Sequence, residues 1–256
     1  MAEPFIRLHN VSKHYAGVTA LKNVDFVIDQ GEIHCLAGEN GSGKSTMIKI
    51  ISGIVTPDPR SVIEIEGQPV RHHHAIDAID KGIQVIYQDL SLFPNLTVAE
   101  NIALGQMVAG HAQLVHWKEL RQIAEAAMAR IHVRLPLDAI VADISIADQQ
   151  LVAICRALTR GVKLLIMDEP TASLTKKEVD SLLSVVVDMK SRGIATMFVS
   201  HKLDEVLAVA DRVSVIRDGQ MVGVYPGAEL TGDTLTMLMT GHKVEYSRFS
   251  VNVDPK

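Results

Sequence analysis

The stretch Gly38-Glu39-Asn40-Gly41-Ser42-Gly43-Lys44-Ser45 constrains this chain more than any other. It fits the pattern G-x-x-x-x-G-K-[ST] without a mismatch. The apolar run Ile33-His34-Cys35-Leu36-Ala37 leads into it. Thr46-Met47-Ile48-Lys49-Ile50-Ile51 leaves it with helical character, and Gly53 can close that helix. Strand, glycine turn and helix thus follow one another, the context in which the pattern carries chemistry. Glycines let backbone N–H groups approach phosphate oxygens, because no Cβ intervenes. A helix N-terminus adds unpaired donors and positive potential. Lys44 can reach β- and γ-phosphates, and the Ser45 hydroxyl can ligate Mg²⁺.

At 256 residues the chain has room for one large domain or a domain with a subdomain. A hydrophobic content of 47% supplies a substantial core. The net charge is −5 and no basic stripe is concentrated anywhere, which argues against nucleic acid as a partner. No run approaches the roughly 18 apolar residues of a membrane span. Met1-Ala2-Glu3-Pro4 lacks the charged and apolar regions of a signal peptide. Cys35 and Cys155 sit in apolar surroundings without metal spacing, and read as buried, reduced thiols.

Residues 5–31 read as short strands joined by turns, with Tyr15 between two of them. Residues 62–66 alternate as a half-exposed strand. His72-His73-His74 reads as a polar loop, because consecutive strand residues point to opposite faces. Gln84–Gln88 reads as a core strand. From Asp89 to Asp143 the character turns helical. Leu120, Ile123, Ala124, Ala127, Met128 and Ile131 form one apolar stripe over Lys118–Ile131. Ser145-Ile146-Ala147-Asp148 has the form of a capping box opening a helix to Leu158, and Thr175–Glu178 repeats that form. Lys163–Met167 is a buried strand that ends in Asp168-Glu169-Pro170, and Ala195–Val199 is another that ends in Ser200-His201. Val213–Arg217 and Met221–Val224 flank a turn as a hairpin. Strands alternating with helices predict a largely parallel α/β sheet. Ligands of such sheets gather at the carboxyl ends of strands, where Gln88, Asp168, Glu169 and His201 all fall.

Taken in order, Tyr15, GENGSGKST, Gln88, ISIADQQ, LLIMDEP, TASLT and His201 resemble the nucleotide-binding subunit of an ATP-binding cassette (ABC) transporter. The resemblance spans roughly residues 5–241. It implies a P-loop NTPase fold: a RecA-like core over 1–88 and 146–230, a small N-terminal antiparallel β subdomain and a helical insertion over 89–145. Residues 1–241 would form the ATPase domain, and 242–256 a polar tail or the start of a linker. The resemblance implies ATP and Mg²⁺ as cofactors. Gly38, Glu39, Asn40, Gly41, Ser42, Gly43, Lys44, Ser45 and Thr46 would hold phosphate, and Tyr15 would stack on adenine. Ser45, Gln88 and Asp168 would hold Mg²⁺, a cation of hard oxygen ligands. Glu169 would deprotonate the attacking water, and His201 would contact the γ-phosphate. Positioning and electrostatics dominate such chemistry.

Ile144–Asp148 aligns with the family signature LSGGQ and departs from it. Only Ser145 is kept; Ile146 and Ala147 replace the glycines, and Asp148 the glutamine. In the family this segment meets ATP bound on the opposite cassette, so Ser145, Ala147 and Asp148 are expected at a weakened trans site. The run Gly82–Ile102 and the S-I-A-D-Q-Q form resemble the ribose, galactose and xylose branch of importers. That branch implies an ATPase on the cytoplasmic face of the membrane. Its partners would be a permease, a second cassette (a homodimer or a fused C-terminal half) and, indirectly, an extracytoplasmic sugar-binding protein. The chain would then be the N-terminal half of a longer protein or a single cassette that must pair. The stretch near Gln88–Asn101 is expected to dock the permease. Two other readings stay open: an ABC-type ATPase outside transport, and an ATP-binding regulatory or assembly module.

Overall fold

The computed structural model describes residues 3–70, 73–109 and 116–242. The first part of the chain forms β1 (Pro4–Tyr15), β2 (Val18–Asp29), β3 (Ile33–Ala37), α1 (Lys44–Ile51), β4 (Val62–Ile65), β5 (Gln68–Pro69), α2 (Ala75–Asp80) and β6 (Ile83–Ile86). Then come α3 (Val98–Ala109), α4 (Trp117–Ala129), α5 (Ile146–Leu158), β7 (Leu164–Asp168), α6 (Lys176–Ser191) and β8 (Ala195–Val199). The described chain closes with α7 (Leu203–Val209), β9 (Arg212–Arg217), β10 (Gln220–Pro226) and α8 (Gly232–Thr240).

Among the described residues six strands make the central sheet, in the order β10-β9-β3-β8-β7-β6. All neighbours in it are parallel except β10, which returns antiparallel on β9 through Asp218-Gly219. The expected parallel sheet and hairpin are therefore both present. Its strands are apolar on both faces, as a sheet covered twice must be. Along β7, Leu165 and Met167 join the cluster beneath α3–α6, while Leu164 and Ile166 join the cluster around α1 and the second sheet.

That second sheet is antiparallel, in the order β2-β1-β4-β5. It corrects the expectation of several short strands over 5–31: β1 and β2 are each 12 residues long. Register shifts between Leu8 and Lys13, with Asn10 and Asn23 at positive φ, break the two-residue alternation that would have announced long strands.

Helix termini follow local chemistry. Thr97 and Glu100 cap α3 reciprocally, the Glu100 N–H donating to Thr97 Oγ1 and the Thr97 N–H to Glu100 Oε2. Thr175 and Glu178 do the same for α6. At α5 the Asp148 N–H donates to Ser145 Oγ at 3.1 Å, but the Asp148 carboxylate takes the Ser145 hydroxyl at 3.0 Å rather than the Ser145 N–H. Aspartate is one methylene shorter than the glutamate of a full box. In α4 the apolar stripe is internal packing: Leu120, Ala124, Ala127 and Met128 are buried, as is Ile131 beyond the helix.

The polar-loop reading of the histidines is corrected in part. His73 is buried, its Nε2 2.7 Å from the Ile51 carbonyl oxygen, and His74 is the N-cap of α2. Gly53 lets this segment press onto the end of α1: a Cβ there would lie 2.5 Å from the His74 carbonyl. His72, and residues 243–256 of the expected tail, lie outside the described residues. Among the described residues no helix is long and apolar enough to cross a membrane.

Candidate functional site

The glycine loop runs from β3 into α1, and its glycines have separate causes. A Cβ on Gly38 would lie 2.4 Å from the Ile216 carbonyl oxygen, and one on Gly43 2.7 Å from the Ala20 carbonyl oxygen. Gly43 also has φ 110, a left-handed backbone that side chains disfavour. Gly41 has φ 82 and nothing within 4 Å of its missing Cβ. Packing therefore fixes two of the glycines, and open space surrounds the third. Gly43 caps α1 without a side chain, which leaves first-turn N–H groups to point out of the helix. The β9–β10 turn braces the loop from outside, the Gly219 N–H donating to the Ser42 carbonyl at 3.0 Å. Lys44 is buried, and its Nζ donates to the carbonyl oxygens of Gly38 and Glu39 at 2.8 and 2.9 Å.

A cavity of about 460 Å³ opens at the carboxyl ends of the central strands. Asn40, Gly41, Gly43, Lys44, Ser45 and Thr46 line one side; Gln88, Asp168 and Glu169 line another. Thus residues 42 to 129 positions apart in sequence meet at one place because β3, β6 and β7 share a sheet. Burial pushes the Asp168 carboxyl up, Glu169 adds to that, and Lys44 opposes both. Burial pulls the Lys44 ammonium down, while Glu169 and Asp168 hold it up. Cation and carboxylates therefore offset one another's desolvation. Ser45, Gln88 and Asp168 offer a hydroxyl, an amide oxygen and a carboxylate. That hard donor set suits Mg²⁺, which takes one or two protein carboxylates and completes its shell with water and substrate phosphate.

Glu169 has φ 49, uncommon for a side chain of its size. Its N–H donates to the Val199 carbonyl at 2.9 Å, which holds that conformation. The turn aims its carboxylate at His201, whose Nδ1 lies 3.1 Å from Glu169 Oε1.

Of the other expected residues, Gly38, Glu39, Ser42 and His201 adjoin the lining in sequence or by contact without being part of it, and Ser145, Ala147, Asp148 and Tyr15 lie apart. Ser145, Ala147 and Asp148 line a separate cavity of about 450 Å³ with Leu174, Thr175 and Lys177, between α5 and α6. Ile146 beside them is 48% exposed. Tyr15 ends β1, 44% exposed, with Lys13 Nζ 5.4 Å from its ring centroid. It does not line the cavity, but its pairing partner Val18 does, with Thr19 and Ala20. Sequence reasoning missed those three. The only signal for them was Gly17, the turn that sends β2 back past the glycine loop.

Residues 21–172, more than half of the chain, match the family model described as ABC transporter. The ribose import ATP-binding protein RbsA of Hahella chejuensis is 39% identical over 242 residues, covering 94% of this chain and 48% of that protein. The protein of the same name from Burkholderia mallei is 41% identical over 96% of this chain and 48% of its own length. Ribose import ATP-binding protein RbsA 1 of Streptomyces avermitilis is 43% identical over 95% of this chain and 46% of its own. The chain spans about half the length of these relatives. Among solved structures, the ADP conformation of an ATP-binding cassette of an ABC transporter superposes with TM-score 0.82 at 24% identity, over 94% of this chain and 96% of that one. A dimeric bacterial ABC transporter cassette gives TM-score 0.74 at 25% identity, over 88% and 100%. Those likenesses show the P-loop NTPase fold, and the family match goes further: the chain belongs to the ABC transporter family.

Proposed function

We propose that this chain is an ATP-hydrolysing subunit that powers import of a simple sugar through a membrane permease, working as one of a closed pair of cassettes. The observation that carries the reading is the single cavity that gathers Lys44, Ser45, Gln88, Asp168 and Glu169 at the carboxyl ends of parallel strands. The glycine loop from Gly38 to Thr46 cradles the phosphates, and Lys44 supplies the cation. Ser45, Gln88 and Asp168 would hold Mg²⁺, which would neutralise charge on the phosphates. Glu169 takes the proton of the attacking water, and His201 holds the γ-phosphate beside it. Tyr15 stacks on adenine from the hairpin tip. The relatives' names speak of ribose import, which supports a simple sugar as the cargo.

Residues 89–145 form the helical insertion between the two parts of the nucleotide-binding core, and residues 242–256 the tail or linker. The permease would dock on that insertion from the membrane, placing the chain on the cytoplasmic face. The second cassette would be another copy or a fused half, and the sugar-binding protein would act on the far side. No role is assigned to nucleic acid.

A second reading, a regulatory or assembly module with weak hydrolysis, draws on Ile146, Ala147 and Asp148 and on the Asp148 carboxylate turned onto Ser145. Mg²⁺-dependent release of phosphate from ATP separates the two. The first reading expects turnover that disappears in Glu169→Gln. The second expects ATP binding with turnover so weak that Glu169→Gln changes it little.

A further inference from the structure

Glu205 lies in the first turn of α7, buried, with no place in the chemistry assigned so far. A carboxylate in that position needs partners, since an unpaired buried charge is costly. It has three. Thr171 Oγ1 donates to Glu205 Oε2 at 2.5 Å, and Ser200 Oγ donates to the same oxygen at 3.1 Å. Lys202 Nζ lies 3.2 Å from Oε1 and also donates to the Thr171 carbonyl at 2.8 Å.

These partners belong to two turns. Thr171 is two residues past Glu169 at the end of β7; Ser200 and Lys202 flank His201 at the end of β8. The strands themselves are in register, Asp168 beside Val199. Beyond that pair the ladder ends in one bond, from the Glu169 N–H to the Val199 carbonyl, and past it side chains must hold the two turns together. Thr171 and Ser200 are buried, so neither hydroxyl has water as an alternative. A third element joins the cluster. The buried Gln150 of α5 donates from Nε2 to the Pro170 carbonyl at 2.7 Å. The helix headed by Ser145 is thereby tied to the turn that carries Glu169.

We propose that Glu205 is a positioning residue for ATP hydrolysis: its carboxylate binds the turn after Glu169 to the turn of His201, and keeps those two side chains at hydrogen-bond distance. The proposal rests on the roles given above to Glu169 and His201. Glu205 is not among the residues that line the cavity of Lys44 and Asp168, and acts only through where Glu169 and His201 point. Misplacing a reacting group by about 1 Å can cost on the order of 100-fold in rate, so the effect belongs in turnover rather than in binding.

The test compares Glu205→Ala and Thr171→Val with the parent chain, in steady-state phosphate release and in ATP affinity by direct binding. Thr171→Val keeps the shape of the side chain and removes one donor, so it carries the test if Glu205→Ala does not fold. Turnover should fall about 10- to 100-fold in Glu205→Ala and less in Thr171→Val, with ATP affinity within about twofold of the parent. In a His201→Ala background the same changes should cost far less, because the side chain they position is gone. Parental turnover in the foldable variant overturns the proposal. So does an equal proportional loss with and without His201, or a loss of ATP affinity as large as the loss of turnover; either marks a general loosening of the fold. Glu169→Gln and His201→Ala serve as controls. If these two leave turnover unchanged, the underlying assignment has failed; if they lower it and Glu205→Ala does not, only the role of Glu205 has failed.

Discussion

His201 Nδ1 lies 3.1 Å from Glu169 Oε1, although 32 residues separate them in the chain. Two neighbouring parallel strands bring them together, and the Glu169 N–H bonded to Val199 fixes the angle at which the glutamate leaves its strand. The backbone thus fixes where Glu169 leaves its strand before any substrate arrives. Loss of a positioned general base typically costs about 10²–10⁴ in rate. Glu169→Gln is isosteric and should lose that much phosphate release while ATP affinity holds. Turnover at the parental rate would show that Glu169 is not the base.

Lys44→Ala should fail differently. Its ammonium is buried against loop carbonyls and stands beside Asp168 and Glu169. Removing it takes away the cation proposed to face the phosphates, and it also removes one of the two lysines, with Lys49, that hold the Asp168 carboxyl down. A charge-assisted hydrogen bond is worth about 1.5–3 kcal/mol, so ATP affinity should weaken by about 10- to 100-fold. Binding by a fluorescent nucleotide measures it directly. Unchanged affinity would move the phosphates away from Lys44.

Much of this arrangement was legible in the sequence, for a physical reason. The glycine loop, Asp168-Glu169 and His201 each sit at the end of an apolar run, and apolar runs reveal parallel strands. Once the strands are placed, their carboxyl ends coincide. Other parts left no such trace. The length of β1 and β2 was hidden by bulges at Asn10 and Asn23, because a bulge resets the alternation. Val18, Thr19 and Ala20 line the cavity through contact made at long range, and nothing in their types announces it. His73 looked polar but satisfies the end of α1, a partner 22 residues away. Thr171, Ser200 and Glu205 are ordinary residues one by one, and only their convergence gives them meaning.

Acid should expose a second buried cluster, at the opposite end of β3. Arg212 holds Glu32 with two hydrogen bonds of 2.5 and 2.7 Å, and His34 Nδ1 lies 3.0 Å from the same carboxylate. Burial pushes the Glu32 carboxyl up, but Arg212 and His34 overcome it and hold it at about 2. A carboxyl depressed in the folded state favours folding when ionised in both states. That contribution is full above the ordinary value of 4.5 and is lost as pH falls from there toward about 2. Urea melts at pH 6, 4 and 3 should therefore show stability declining through this window. Glu32→Gln should be less stable at pH 6 and decline less. An equal decline in both proteins would place the acid sensitivity elsewhere.

Phe93 and Leu92 should behave oppositely when charged. Phe93 is 51% exposed and borders a cavity of about 400 Å³, lined also by Val85 of β6, Leu104 of α3 and Arg156 of α5. Leu92 instead packs against the main apolar cluster. Arg156 donates to the Leu90 and Ser91 carbonyls and anchors the segment between them and the core. Phe93→Asp should weaken permease binding while leaving stability and ATP affinity within about twofold, as surface changes usually do. Leu92→Asp should lower the melting temperature first. Retained permease binding in a folded Phe93→Asp protein would remove this face from the docking surface.

The final prediction concerns pairing. Lys44, Asp168 and Glu169 line one cavity, while Ser145, Ala147 and Asp148 line another between α5 and α6. Within one chain the two sets do not converge. ATP can be enclosed by both only if a second cassette brings its own signature segment to the first chain's phosphate loop. Ser145 still caps α5, which keeps a helix N-terminus available for a trans phosphate. The Ala147 side chain adds bulk there, and Asp148 adds negative charge, so the closed pair should be short-lived. The chain alone should then be monomeric without ATP, and its turnover should be slow and rise more than linearly with protein concentration. Asp148→Gln should raise turnover at a fixed concentration, by removing an anion from the face that meets phosphate. Light scattering under turnover, with phosphate release over a dilution series, checks both. Turnover per chain that stays constant on dilution, from a species of monomeric mass, would overturn the paired mechanism for this protein.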